Sequence, residues 1–410
     1  MQRVELTESL QKDMVTNMII EPAIRQNMAI YAHPMGCRQN VLEQIEEIKD
    51  KEKITNKKLN VLIIGGSSGY GLASRIALAF NAGAYTCNVS FERAPKGRMT
   101  GSAGYFNNYY FNQFAKEATL EADDLDGDCF SHDMKKDVVS LLQGKGKKID
   151  LIVYSVASGV RTDPDTGEKY TSALKPVGSA YRGLSVDLST DTLDEKVIEP
   201  ANEDELHHTV KIMGGEDYLL WVKALESASL LNGGAKTVAY TYIGTPFTYD
   251  IYKNGTIGHA KRHLEETNIA IQKILDNYKG KAIICSSKTV VTKASVFIPS
   301  VAIYASALFK IMKEKGTHES ITMHKYRLFK DFIYGGKPVV DDSGIYRLDA
   351  FEMQDDTQMA VGELMQKAIG DDFGKIVDFS YFKHEFLAIN GFDLAGVDYN
   401  EDIDLTTYTS

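Results

Sequence analysis

An apolar run that ends in glycines and passes straight into helical periodicity leaves a chain few choices, and Lys57–Asn88, KKLNVLIIGGSSGYGLASRIALAFNAGAYTCN, is such a stretch. Val61–Ile64 reads as a buried strand. Gly65, Gly69 and Gly71 follow it in the spacing G-x-x-x-G-x-G, looser than the dinucleotide fingerprint G-x-G-x-x-G but resting on the same physics. One glycine permits a sharp turn, one lets backbone N–H groups approach a pyrophosphate, and one lets the next helix pack close with its positive end toward the phosphates. A cluster of this kind, Gly66 included, also suits an ordinary βα turn. The flanks favour the cradle: a strand before, a helix after, and an acid, Glu92, closing the next strand-like run, Tyr85–Phe91.

From Lys57 onward strands and helices alternate, which predicts a parallel sheet with right-handed crossovers. The strands are read at Asn60–Ile64, Tyr85–Phe91, Ile149–Val156, Lys236–Tyr242 and Lys281–Ser286, and the strongest helices at Ser131–Leu142, Gly214–Leu230, Thr256–Leu275 and Ala302–Lys315. Residues 93–112 read as a long loop or broken helix and 161–215 as an aperiodic excursion covering the active face, while Asp123–Phe130 carries four aspartates and a glycine but lacks the EF-hand spacing and final glutamate of a calcium loop. Ahead of the fingerprint, Leu6–Asn17 and Val41–Lys53 have helical spacing, Met18–Ile30 holds a strand, and His33–Cys37 is a loop. Helical patterns recur at His318–Phe332, Asp356–Ala368 and Tyr381–Asn390. The expected fold class is α/β, a Rossmann-type doubly wound and mainly parallel sheet with N-terminal, substrate-cover and C-terminal additions. The expected organisation is one compact unit: an extension over 1–56, an NAD-binding catalytic core over 57–317 with its cover at 161–215, and a helical extension over 318–410.

Composition excludes several classes. A net charge of −10 disfavours a broad nucleic-acid-binding surface. Four scattered cysteines, with no C-x-x-C pair and no His/Cys ligand spacing, support neither a disulfide framework nor a metal site. No apolar stretch has the length of a membrane span and no leader pattern opens the chain. The expectation is a reduced cytoplasmic protein without metal, nucleic-acid or membrane partners.

The chemistry-bearing candidates are Tyr252 and Lys261. The lysine sits on the helix that begins near Thr256, and the tyrosine just ahead of it in a loop. A phenol near an ammonium and a bound nicotinamide's positive charge has its pKa lowered, which suits a proton donor to an oxygen that turns negative in the transition state. With 22 tyrosines the spacing alone decides little; its place after a late buried strand decides more.

The chain resembles the family of trans-2-enoyl-CoA reductases and FabV-type enoyl-acyl-carrier-protein reductases, enlarged relatives of the short-chain dehydrogenases. The resemblance is carried by Tyr252-x8-Lys261 and by Ala32-His33-Pro34 with Gly36-Cys37, GYGLASRIALAF at 69–80, Phe91-Glu92, YSVAS at 154–158, RTDPDTG at 161–167, MGGED at 213–217, GTIGHAK at 255–261, VVTKAS at 290–295 and FKHEFLAINGFD at 382–393. It runs collinearly from about Met18 to the C-terminus. It implies NADH-dependent reduction of the 2,3 double bond of an enoyl thioester, on CoA or acyl carrier protein, within fatty-acid synthesis or butyrate-type metabolism, by a monomer. It assigns Tyr252 as proton donor, Lys261 to the cofactor ribose and the tyrosine's electrostatics, and Tyr242 to the substrate. Cofactor contacts are implied at Gly65, Gly66, Ser67, Ser68, Gly69, Tyr70, Phe91, Glu92, Asp128, Cys129, Val156, Ala157, Lys261, Val290, Val291 and Thr292. Independently, Glu92 favours NADH because a carboxylate accepts from the ribose 2′-OH and repels a 2′-phosphate, while Arg93 beside it is the residue that would admit NADPH. Gly159, where relatives often carry proline, and the loop Ala94–Ala103 depart from the family pattern. Two rivals remain open: a carbonyl reductase on 3-oxoacyl thioesters, which needs the same Tyr and Lys, and a nucleotide-binding protein without turnover. If the carrier is an acidic protein, Lys310, Lys313 and Lys315 are the candidate basic patch; otherwise they are a solvated helix end.

Overall fold

The computed structural model describes residues 17–368 and 372–409, so the helix expected at Leu6–Asn17 lies almost wholly outside the described residues. In chain order come short strands β1 (Asn17–Met18), β2 (Ile24–Arg25) and β3 (Met28–Ala29), then helix α1 (Pro34–Ile48). The expected His33–Cys37 loop is instead the start of α1. His33 caps it, its Nδ1 accepting from Gly36 N at 3.2 Å, and Pro34 occupies the first turn where its missing N–H costs nothing.

The core then alternates as expected: β4 (Asn60–Ile64), α2 (Gly69–Ile76), β5 (Tyr85–Ser90), α3 (Ala103–Glu117), β6 (Ala122–Asp126), α4 (His132–Gly144) and β7 (Ile149–Tyr154). Two antiparallel hairpins follow, β8 (Val160–Thr162) with β9 (Lys169–Thr171) and β10 (Tyr181–Asp187) with β11 (Thr192–Ile198). Helices α5 (Glu203–Met213) and α6 (Glu216–Ser227) lead back to β12 (Leu231–Thr241), α7 (Thr256–Asp276) and β13 (Lys281–Ser286). The C-terminal part comprises α8 (Val301–Glu314), α9 (Ile321–Arg327), β14 (Tyr346–Arg347), α10 (Asp355–Lys367), α11 (Phe373–Ile376), α12 (Phe379–Ala388) and β15 (Ile403–Asp404).

The central sheet has the order β14-β13-β12-β7-β4-β5-β6, every pair parallel. Strand order reverses between β4 and β7, the switch point beyond whose carboxyl ends an open α/β sheet binds its ligand. β4 and β7 are apolar on both faces because α2 and α9 cover one side and α4, α6 and α7 the other, which is why they read as unbroken hydrophobic runs. Trp221 is fully buried in the second of these layers.

The aspartate-rich stretch, given no element in the sequence reading, is strand β6 as far as Asp126, and its aspartates are held by tertiary partners, Asp124 by Arg75 at 2.8 Å and Asp123 by Tyr85 at 2.7 Å. The stretch taken as a loop or broken helix becomes α3 from Ala103, and the expected aperiodic excursion is the paired hairpins plus α5.

Candidate active site

The carboxyl edge of the sheet gathers the residues picked out in the sequence. Gly65 (φ +87°) and Gly69 (φ +54°) turn the chain out of β4 and into α2 in conformations that side chains rarely adopt. A Cβ on Gly71 would lie 1.9 Å from the Gly65 carbonyl oxygen, so the third glycine exists to let helix meet strand. The first helical hydrogen bond is Leu72 N to Ser68 O, 3.2 Å, which leaves the N–H groups of Gly69, Tyr70 and Gly71 without a helical partner. Ser68 stands at the N-cap without a capping bond of its own. Asn88 fixes the turn by accepting from Gly66 N at 2.9 Å, and Asn107 by donating to Ser67 O at 2.9 Å.

Glu92 projects from the end of β5 over the start of α3, accepting from Ser67 Oγ at 2.6 Å and from Ser102 Oγ. A Cβ on Gly104 would fall 2.0 Å from its Oε1, which explains a glycine in the first turn of that helix. The carboxylate keeps lone pairs for a ribose hydroxyl. Phe91 is 78% exposed beside it, a free face for a base. Asp128 receives Phe130 N at 2.9 Å, while the Cys129 carbonyl receives Lys135 Nζ at 2.9 Å and Trp221 Nε1 at 3.2 Å. Val156 and Ala157 leave β7, and Val290, Val291 and Thr292 leave β13; the Thr292 methyl stands 3.6 Å from the Cβ position of Gly69. These positions lie at the carboxyl edge of the sheet and fit a dinucleotide: a cradle that a Cβ would fill, a helix N-terminus, and a carboxylate with lone pairs to spare.

Tyr252 lies in a π-helical turn, Tyr249–Lys253, rather than the loop expected ahead of α7. It is buried in an apolar cluster with Tyr181 of the cover, Ile251 and Ile257, against which Leu174, Met213 and Tyr242 pack. Its ring meets that of Tyr242 edge-on, centroids 5.1 Å apart, and its hydroxyl makes no hydrogen bond among the described residues. The cover is pinned to this corner by Thr256 N donating to Lys175 O at 3.0 Å. Lys261 Nζ donates to the Tyr240 carbonyl at 3.1 Å.

The lowered Tyr252 pKa expected from a neighbouring ammonium is not what the chain's own groups produce. Burial raises the Tyr252 phenol above its ordinary value, with no cation among the described residues opposing it, and burial lowers the Lys261 ammonium to about 8. The protein's own groups therefore hold the tyrosine protonated, a donor rather than a phenolate.

Sequence reasoning missed the support beneath Tyr242. Glu352, fully buried, accepts from Thr289 N at 2.6 Å, Thr289 Oγ1 at 2.9 Å and Tyr304 OH at 2.8 Å. Thr289 Oγ1 also stands 2.9 Å from the Tyr242 hydroxyl, which reaches Glu352 at 3.5 Å. One carboxylate thus fixes both the turn after β13 and the second tyrosine. Burial pushes its pKa up, and three donors limit the rise. A lone acid within the run Ala350–Met353 is the only signal the sequence offers. Also unforeseen is Lys325, its ammonium 4.1 Å from the Tyr70 ring centroid and 3.7 Å from that of Tyr240, donating to Ser287 Oγ at 2.6 Å; burial lowers it to about 7.

Residues 19–97 match the NAD(P)H binding domain of trans-2-enoyl-CoA reductase, 99–334 the trans-2-enoyl-CoA reductase catalytic region, and 340–403 a family described as the enoyl reductase FAD binding domain. An NADH enoyl-acyl-carrier-protein reductase of Paraburkholderia xenovorans is 44% identical over 386 residues, 94% of this chain and 97% of that protein. An NADH trans-2-enoyl-CoA reductase of Clostridium beijerinckii is 44% identical over 391 residues, 95% and 98% of the two chains. The crystal structure of Clostridium acetobutulicum trans-2-enoyl-CoA reductase in complex with NADH superposes with a TM-score of 0.93 at 38% identity, covering 95% of this chain and 99% of that one. The 340–403 segment does not fit a flavin dinucleotide. Its described residues hold no strand–glycine–helix turn, its helices α10 and α12 bury apolar faces against α8, and Gly362 and Gly391 are spent on contacts with Phe247 and the His33 carbonyl.

Proposed function

Because the chain belongs to the trans-2-enoyl-CoA reductase family, we propose that Tyr252, Tyr242 and Lys261 carry its reaction. The protein is an NADH-dependent enzyme that reduces the 2,3 double bond of trans-2-enoyl thioesters. NADH, once bound, supplies the hydride to C3. Charge then moves onto the thioester oxygen, and a donor waiting there stabilises the transition state more than the ground state. The observation that carries the assignment is the Tyr252 hydroxyl: buried under the cover, kept protonated by burial, and without any hydrogen-bond partner among the described residues. Tyr242, fixed by Thr289 and Glu352, presents a second phenol to the same oxygen. Lys261, on α7 with its ammonium at the Tyr240 carbonyl, holds a ribose hydroxyl when cationic. Protonation at C2 completes the saturated thioester.

Glu92 and the cradle from Gly65 to Tyr70 seat the cofactor, with Asp128, Cys129, Val156, Ala157 and Val290–Thr292 along its length. We read the chain as a cytoplasmic monomer, with 1–56 and 318–410 as additions to the core at 57–317. Pairing of β1 with β15 supports treating the additions as one structure, and no helix among the described residues is long and apolar enough to cross a membrane.

The test is NADH oxidation with crotonyl-CoA. Tyr252→Phe is expected to lose turnover while still binding NADH, and wild-type turnover in that variant removes Tyr252 from the role. Faster turnover of acetoacetyl-CoA than of crotonyl-CoA would favour the carbonyl reductase instead.

A further inference from the structure

The relatives act on thioesters of two different carriers, and the surface of this chain discriminates between them. The lysines that could face an acidic carrier protein are already committed. Lys310 donates to the Ile376 carbonyl at 2.7 Å, Lys313 pairs with Asp378 at 2.8 Å, and Lys315 pairs with Asp356 at 2.7 Å. They are the ties that hold α8 to the C-terminal helices, so no basic patch stands free there.

Uncommitted positive charge lies elsewhere. A cavity of about 210 Å³ opens between the β2–β3 hairpin, the loop after β5, the turn after β13 and the end of α12. By the same measure one water needs roughly 10–15 Å³, so the cavity has room for a dozen or more water-sized groups. Its wall is largely apolar, and its rim leaves Met28 46%, Ile30 36% and Phe297 46% exposed. Two cations line it, Arg93 and Lys293, and neither side chain has a carboxylate or hydrogen-bond partner among the described residues. Exposed apolar side chains gathered around two unpaired cations are costly for a surface that binds nothing.

The cavity adjoins the cofactor crevice without coinciding with its floor. Lys293 follows Thr292, whose methyl faces Gly69, and Ser102 in its wall donates to Glu92. The hairpin that forms the outer wall is fixed rather than loose: Asn27, at φ +59°, donates to the Val186 carbonyl at 3.0 Å and accepts from Leu188 N at 2.8 Å, tying it to the cover. One end of the cavity therefore borders the substrate cover and the other the ribose seat. A ligand that suits it is a long one, anionic at one end and amphipathic along its stem.

We propose that this cavity is the subsite for the phosphorylated nucleotide of a coenzyme A thioester, with Arg93 and Lys293 receiving its phosphates and the Met28–Phe297 rim its stem. The inference rests on the enoyl-thioester reading and names the carrier within it. It also accounts for Arg93, which lines a phosphate site for the substrate rather than admitting a 2′-phosphate on the cofactor. A carrier protein presents only a phosphopantetheine stem and has no nucleotide to place there.

The test compares crotonyl-CoA with crotonyl-pantetheine, which lacks the nucleotide, in the wild type and in the double variant Arg93→Ala/Lys293→Ala. Loss of one or two charge-assisted hydrogen bonds should lower kcat/KM for crotonyl-CoA by about tenfold or more relative to crotonyl-pantetheine. Adenosine 3′,5′-bisphosphate should bind the NADH-saturated wild-type protein in calorimetry, and the double variant at least about tenfold more weakly. An unchanged ratio between the two thioesters overturns the proposal. So does a rise in NADH Kd with the ratio unchanged, which would assign the cations to the cofactor. If the wild type reduces neither thioester, the enoyl-reductase reading itself has failed, and the bisphosphate titration still decides whether the cavity takes a nucleotide.

Discussion

Replacing Gly71 by alanine sets two effects of opposite sign against each other. Gly71 lies in α2, where alanine is the better helix former by about 1 kcal/mol, so propensity alone favours the variant. The packing opposes it: the new methyl would stand 1.9 Å from the Gly65 oxygen, 2.8 Å from the Gly65 carbon and 3.1 Å from the Gly66 Cα. These are backbone atoms and cannot rotate away, so helix and turn must part by about 1 Å to reach a tolerable contact. The N–H groups of Gly69 and Tyr70 move with the helix, and a displacement of that size breaks a charge-assisted hydrogen bond to a phosphate. Such a bond contributes about 1.5–3 kcal/mol, which corresponds to a rise in Kd of roughly 10- to 150-fold. NADH fluorescence titration of Gly71→Ala reads this directly, with thermal melting to confirm that the variant is folded. Gly144→Ala is the control: Gly144 ends α4 with nothing among the described residues within 4 Å of its Cβ position, and the variant should bind NADH normally and melt no lower. A folded Gly71→Ala protein with wild-type affinity would refute the claim that the glycine serves the cradle.

Other outcomes follow from the same geometry. Lys261 has its pKa lowered to about 8 by burial, so kcat/KM should fall as pH rises through about 8 and the cation is lost; a flat profile from pH 7 to 10 excludes a role for the charge. For stability the sign is opposite: between about 8 and its unperturbed value of about 10.4 the folded chain has released a proton that the unfolded chain keeps, so this group's contribution rises with pH. Asp217→Ala would strand Lys135, whose Nζ is 2.7 Å from Asp217 Oδ1 with both side chains buried, at a cost of about 3–5 kcal/mol. Tm should drop by several degrees, and an unchanged Tm would show that Lys135 is already satisfied by the Cys129 and Phe130 carbonyls.

What the sequence revealed depended on where each residue's partners sit. β4 and β13 were found to the residue because a strand buried on both faces writes itself as an unbroken apolar run. β6 did not, because its stability comes from Arg75, Asn88 and Tyr85 reaching across to its aspartates, and no local pattern records that. The run 93–112 read as a loop or broken helix, yet Gly104 within it is the space that Glu92 occupies at the start of α3. The cover was opaque for a related reason: β11 is largely exposed, and its register is set by β10 alone. In the candidate site, Tyr252 and Lys261 stand out in the sequence because a strand, a turn and a helix flank them. Glu352 was not, since its function as an acceptor depends on Thr289 and Tyr304, which lie 63 and 48 positions away.

The pairing of Asn17 with Asp404 and of Met18 with Ile403 bears on how the chain is made. The two strands are about 390 residues apart, so at synthesis rates of roughly 5–20 residues per second the first waits about 20–80 s for its partner. During that interval α1, whose Gly36 and Cys37 abut Gly391, also lacks its native neighbour. The Rossmann sheet can close on the ribosome while this N-terminal segment, with the exposed Ile19, stays available to chaperones or to another nascent copy. Expression yield should therefore be more sensitive to changes at the 391–404 end than its distance from the chemistry would suggest.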